Sequence, residues 1–354
     1  MPDTLAPTSA PTGDTTELWY TRCPVPTATG IALDQGWLGG EFGRTGIDLK
    51  SLADAPDPAV RLSHFHHRLP GLFREGGNIP AIWAKSLGQD TAVVALTWVD
   101  ETQVLLTRPD GGIRGPADLK GRRLGLPKRG GEAIDFARAM ALHGYVSALR
   151  LAGLTTGDVT LVDVPAPPTE FRRGDSRGPW RDPTFDALLA GTIDAVYIKG
   201  AAAVSLRRQH GLQVVVDLNA VDDPAARINN GTPRPVTVNR NLAENRPDLV
   251  ARYLAVLSAT ADWATDHAED VRRIVAAETS TDVASVLDAY GPELHLRLKP
   301  RLPPDWIAAF ETQKNFLRDR GFLAGDVDVA AWINPEPLAE AERLLAQGAV
   351  TLPV

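Results

Sequence analysis

The stretch Thr91–Trp98, TAVVALTW, is apolar on both of its faces, and its reading decides the fold class. A strand with one wet face alternates apolar and polar residues. A strand covered on both sides, as in a parallel sheet between helices, runs continuously apolar. Working outward, Leu18–Tyr20, Ile47–Leu49, Gln103–Thr107, Val159–Val162, Ile193–Ile198, the VVVDL run after Leu212 and Pro235–Val238 read as further strands, and Asp118–Leu126 as a helical turn leading into one. Between them Ala28–Leu38, Gly76–Gly88, Ala133–Leu151 and Phe185–Gly191 read as helices. Past Pro247 the chain turns helical, over Pro247–Asp266, Glu269–Glu278, Val283–Tyr290, Pro304–Arg320 and Leu338–Gln347. Alternation of this kind predicts an α/β protein with its functional loops at the carboxyl ends of the strands.

The chain has 354 residues, 44% hydrophobic and 23% charged, which is globular usage with room for two domains. Its 37 basic and 44 acidic residues give a net charge of -7. That balance argues against nucleic acid as a partner, yet it leaves space for a local cationic pocket. The single cysteine rules out an intramolecular disulfide, a cysteine-rich zinc site and an iron–sulfur cluster held by this chain alone. Residues 1–14, rich in Pro, Thr and Ser, read as a flexible lead-in without the marks of a signal peptide. No run approaches about 18 apolar residues, so neither a membrane span nor a membrane partner is expected, and a cytoplasmic monomer is the expectation.

Chemistry concentrates near the amino end. Cys23 follows the first strand in Tyr20-Thr21-Arg22-Cys23-Pro24-Val25-Pro26, where an α/β fold places ligands and where a nearby helix start and an arginine favour a thiolate. The bland alternative is a buried thiol acting as a small hydrophobe. His64, His66 and His67 suit acid–base or hydrogen-bonding work better than a metal, because no HExxH spacing is present. Strand-like alternation would set His64 and His66 on one face and His67 on the other. Arg74-Glu75-Gly76-Gly77-Asn78-Ile79-Pro80 joins a guanidinium to a double glycine at a helix start, a cradle for a small oxyanion. Phosphate-loop and dinucleotide patterns are absent. Weaker candidates are the basic loop Phe171–Asp175, the pair Tyr197 and Lys199 at a strand end, Lys128–Gly131 before a helix, and Arg227, Asn229 and Asn230. His143, His210, His267 and His295 carry no partner pattern and read as structural.

Tyr20-x-x-Cys23-Pro24-Val25-Pro26, His64-Phe65 and Arg74-x-Gly76-Gly77-x-Ile79-Pro80 together resemble the bacterial aryl-sulfinate desulfinases of dibenzothiophene desulfurisation. Those enzymes share a two-lobed α/β fold with type 2 periplasmic solute-binding proteins. The likeness continues through Ala117–Arg123, Gly191–Tyr197, Arg246–Val250 and Trp263–His267. It departs in the more basic run His66–Phe73 and in the loop Pro165–Pro183. The resemblance implies hydrolytic desulfination of an aromatic sulfinate, such as 2'-hydroxybiphenyl-2-sulfinate, to the arene and sulfite, without cofactor or metal. It makes Cys23, His64 and Arg74 the catalytic set and Gly77 a backbone contributor to substrate binding, with a small anionic aromatic and water as partners; Gly76 in the same turn and Tyr197 at its strand end are the further substrate-binding residues expected. Cys23 then acts as nucleophile or as proton donor. It further implies one lobe from residues 15–110 and 215–354 and a second from 111–214, with the cleft between them. Two rival readings within the same fold are a non-catalytic binder of an anionic aromatic and a pyrimidine-precursor synthase, whose iron-handling cysteine cluster is absent here.

Overall fold

In the computed structural model, which describes residues 17–131, 134–168 and 183–353, the strands sort into three sheets. They are β1 (Glu17–Arg22), β2 (Asp48–Ser51), β3 (Leu72–Glu75), β4 (Thr91–Thr97), β5 (Gln103–Thr107), β6 (Arg123–Arg129), β7 (Thr160–Ala166), β8 (Val196–Lys199), β9 (Gln213–Asp217) and β10 (Arg234–Asn239). The first sheet has the order β2-β1-β3-β10-β4, the second β8-β5-β9, and the third pairs β6 with β7. An isolated bridge from Leu124 to Ala195 ties β6 to the turn before β8. The chain thus leaves the first sheet between β4 and β5 and re-enters it between β9 and β10, building two lobes. The lead-in 1–14 and the loop Phe171–Asp175 lie outside the described residues.

β4 is the stretch that decided the fold class, and all seven of its residues are buried. It is nevertheless an outer strand of its sheet and runs antiparallel to β10, not parallel as its composition suggests. Its open edge is covered by single bridges from Val93 to Ile333 and from Leu96 to Arg301, where Leu96 and Arg301 exchange two backbone hydrogen bonds of 2.8 Å. A continuous apolar run reports burial on both faces. It carries no information on strand direction.

The first core packs Leu18, Ile31, Phe42, Phe73, Val94 and Val236 against the helix Pro247–Ala264, whose Tyr253 stacks on Phe73 with centroids 4.1 Å apart. The expected helix over 28–38 is two, Ala28–Asp34 and Trp37–Gly43, because Gly36 adopts a left-handed φ of 72° between them. A second core gathers Leu105, Leu124, Tyr145, Ala195 and Tyr197 under the helix Phe136–Arg150 and extends to Phe310 and Trp332. β5 is the central strand of the second sheet, with β8 and β9 hydrogen-bonded on its two sides, although boundaries at 111 and 214 would leave β5 in the first lobe and cut β9. Nothing in the residues QVLLT distinguishes one sheet from another. Pairing partners far along the chain decide it. Among the described residues, no helix is long and apolar enough to cross a membrane.

Candidate active site

Sheet register brings the site together. β1 and β3 run parallel with Arg22 opposite Glu75, so Cys23 and Gly76 leave the sheet side by side, and the Cys23 N–H donates to the Glu75 carbonyl at 3.2 Å. Pro24 and Pro26 end the strand, and Thr27 caps the next helix by accepting from the Gly30 N–H at 3.1 Å. The thiol is thereby held at the carboxyl end of β1, partly buried.

His64 lies on the short helix Ser63–His66, which ends where His67 turns left-handed at φ 53°. The expected strand-like alternation does not occur. Helical spacing turns His64 and His67 inward, at 5% and 2% exposure, and leaves His66 half-buried. Nδ1 of His64 lies 2.8 Å from the Thr21 hydroxyl, and its Nε2 lies 3.8 Å from the Cys23 sulfur. Thr21 and Cys23 are two residues apart, the spacing that puts strand side chains on one face. That spacing is the signal by which Thr21 was findable in the sequence.

Arg74 is fully buried in β3. Its Nε donates to the His64 carbonyl at 2.6 Å and its Nη2 to the Gly77 carbonyl at 3.0 Å, while Nη1 has no partner. The guanidinium lies over Gly76 so closely that a Cβ there would stand 2.9 Å from its central carbon. At Gly77 a Cβ would come within 2.5 Å of the Asn230 side chain. Asn230 accepts from the first N–H groups of the helix Asn78–Ser86, from Asn78 through its carbonyl at 2.7 Å and from Ile79 through Oδ1 at 3.0 Å. The guanidinium and the double glycine thus meet at the helix start, where Arg74 fills the space over Gly76, Asn230 fills that over Gly77, and Asn230 also fastens the helix end.

Burial opposes ionisation of Cys23, but the hydrogen bond and charge of His64, with the charges of Arg234 and Arg74, outweigh it and hold the thiol well below its usual range. Burial pushes His64 down, against its bond to Cys23, and both arginines push the same way as burial. Burial also lowers Arg74, to about 10, which leaves it charged at neutral pH. Thr21 engages Nδ1 and so turns Nε2 of His64 toward the thiol. Among the described residues no three His, Cys, Asp or Glu side chains come together as a metal site.

Other candidates lie elsewhere. Tyr197 is 3% exposed; its hydroxyl donates to Gln103 at 2.7 Å and accepts from Asn229 at 3.1 Å, so it is spent inside the second core and lines no cleft. Lys199 pairs with Glu101 and Arg227 reaches Asp100. Lys128 pairs with Asp163, and the helix start beyond Gly131 already holds a carboxylate, Asp135, which accepts from the Arg138 N–H at 3.0 Å and the Arg129 N–H at 2.8 Å. His143, His210 and His267 pack on Phe316, Phe185 and Trp263.

Comparison with known proteins agrees with the resemblance seen in the motifs. No family model matches the chain. It is 28% identical over 349 residues to 2'-hydroxybiphenyl-2-sulfinate desulfinase of Rhodococcus erythropolis, covering 90% of this chain and 92% of that protein, and equally so to the enzyme of Rhodococcus qingshengii. A cysteine-to-serine variant of the desulfinase DszB, solved in complex with biphenyl-2-sulfinic acid, superposes with a TM-score of 0.74 at 25% identity, over 92% of this chain and 99% of that one. The periplasmic aliphatic sulphonate-binding protein SsuA of Escherichia coli shares the fold, with a TM-score of 0.66 at 17% identity over 90% of this chain and 92% of its own. The chain has the two-lobed fold of type 2 periplasmic solute-binding proteins and is similar, along nearly its whole length, to the 2'-hydroxybiphenyl-2-sulfinate desulfinases.

Proposed function

We propose that this chain hydrolyses the carbon–sulfur bond of an aromatic sulfinate, releasing the arene and sulfite, with Cys23, His64 and Arg74 as its reacting and binding groups. The observation that carries the reading is the meeting of Cys23 with His64 at 3.8 Å beside an arginine whose Nη1 is buried and unpartnered. A guanidinium with an unspent donor in a dry site calls for an anion. Gly76 and Gly77, lacking a Cβ, let the Arg74 guanidinium and the Asn230 side chain pack directly on the backbone there. Phe65, next to His64, stacks with Phe136 of the second lobe at 6.0 Å and 23°, which supplies a flat apolar wall beside the anion site.

A thiol held well below its usual range favours attack over proton donation. The Cys23 thiolate bonds to sulfur, and the electron pair of the broken carbon–sulfur bond stays with the ring carbon, which takes up a proton. Water then attacks the thiosulfonate sulfur, frees the thiolate, releases hydrogen sulfite and returns a proton. One water is consumed overall. Neither step calls for a cofactor. A single reactive thiol suits a reducing, cytoplasmic setting.

Sulfite release from a panel of aryl sulfinates tests the reading. Turnover by the natural chain and its loss in Cys23→Ser, with sulfinate binding kept, is the expected result. Tight binding by the natural chain with no sulfite formed would make it a binding protein instead.

A further inference from the structure

Arg234 opens β10 and is 2% exposed. The register shows where it stands. β10 runs antiparallel to β3 with Thr237 opposite Arg74 and Val236 opposite Glu75. Two residues further along, Arg234 leaves the strand level with Gly77, at the same sheet end as Cys23 and Gly76. On its other flank it faces Thr97 of β4. Its Nε and Nη1 are buried and without hydrogen-bond partners, like Nη1 of Arg74.

Two carboxylates, Glu75 and Glu101, lie near it, and Oε2 of Glu75 is buried without a hydrogen-bond partner. Glu75 accepts from the Thr97 hydroxyl at 2.8 Å, and burial pushes its carboxyl up, against Thr29, Arg234, Thr97 and Arg22. Glu101 pairs with Lys199; a Cβ at Gly231 would stand 2.5 Å from Glu101 Oε1 and 3.3 Å from Arg234 Nη2, so these groups surround one glycine. Tyr290 lies near as well, and burial holds its phenol up, outside the working range. Arg74 and Arg234 are the two arginines whose charges act on the Cys23 thiol, alongside that of His64, and both keep donors unspent.

We propose that Arg234 is the second guanidinium of the reaction centre, which with Arg74 balances the two negative charges that must meet there, the Cys23 thiolate and the incoming sulfinate. The sulfinate half of this rests on the desulfinase reading; the thiolate half does not. Two like charges brought together in a site shielded from water repel strongly, and one arginine can neutralise only one of them. The charge of Arg234 acts on the thiol in the required direction, alongside His64 and Arg74 and against burial.

The test follows alkylation of Cys23 by iodoacetamide against pH in the full-length chain without substrate, with sulfite release from benzenesulfinate in parallel. In Arg234→Gln the alkylation midpoint is expected to rise by about one pH unit, a tenfold loss of thiolate below both midpoints. The same variant should lose roughly a hundredfold in kcat/KM. Arg234→Lys, which keeps the charge, should hold the midpoint within about 0.3 unit. The alkylation arm needs no turnover, so it stands even where the natural chain releases no sulfite. A folded Arg234→Gln with an unshifted midpoint overturns the proposal. Should that variant not fold, a folded Arg234→Lys whose midpoint climbs a full unit overturns it equally, since charge would then not be what acts.

Discussion

The Thr21 hydroxyl stands 2.8 Å from Nδ1 of His64, a residue 43 positions further along the chain, and so fixes which face the imidazole turns to Cys23. With Nδ1 engaged, Nε2 is the nitrogen left for the sulfur at 3.8 Å. Thr21 is a positioning residue that acts through His64.

Thr21→Val keeps the shape of the strand and removes the anchor. Sulfite release should fall at least about tenfold in kcat while KM changes little, because orientation of the acid–base partner is lost and the anion cradle is untouched. An equal loss in KM alone would show Thr21 to be part of binding instead.

His64→Gln bears on the thiol itself. With the hydrogen bond and charge of His64 removed, burial is left opposed only by Arg234 and Arg74, so the thiol rises toward its ordinary range. The thiolate is the form present above the lowered value. Alkylation of the natural chain should therefore stay fast at neutral pH and slow in acid, and the variant should need more alkaline solution for the same rate. An unchanged profile would remove His64 from the thiol's environment.

Gly76→Ala sets a methyl group 2.9 Å from the Arg74 guanidinium, which cannot swing away without breaking its bonds to the His64 and Gly77 carbonyls. The expected result is a KM for aryl sulfinate raised by about tenfold or more, the scale of one charge-assisted hydrogen bond. Urea unfolding checks that the fold persists.

Acid stability has its own source. Burial lowers His143, stacked on Phe316 and bonded to Gln313 at 2.7 Å, from 6.5 to about 4, and His66 and His67 are lowered to about 4 as well. Below 6.5 the unfolded chain binds protons that the folded chain refuses, so stability falls as pH drops from 6.5 toward 4. Each fully buried histidine contributes up to about 3 kcal/mol to that fall. His143→Gln should lose less stability than the natural chain between about pH 7 and about pH 4.5 in urea titrations. An identical loss would place the acid sensitivity elsewhere.

The sequence by itself determined the α/β class, the succession of strands and helices, and the placing of Cys23 and the Gly76–Gly77 turn at strand ends. Apolar runs, proline stops and glycine turns are local, and they act wherever the rest of the chain goes. Motif likeness chose His64 from its cluster and joined it with Cys23 and Arg74 into one set. Tertiary structure alone decided the direction of β4, the sheet that takes β5, and the withdrawal of Tyr197 into a hydrogen-bonded core, because each depends on partners tens to hundreds of residues away. Arg234 is the clearest case. In RPVTV it reads as an ordinary charged residue at the start of a strand. Only the antiparallel register of β10 against β3 carries it to the sheet end that holds Cys23, where it is buried with two donors unspent.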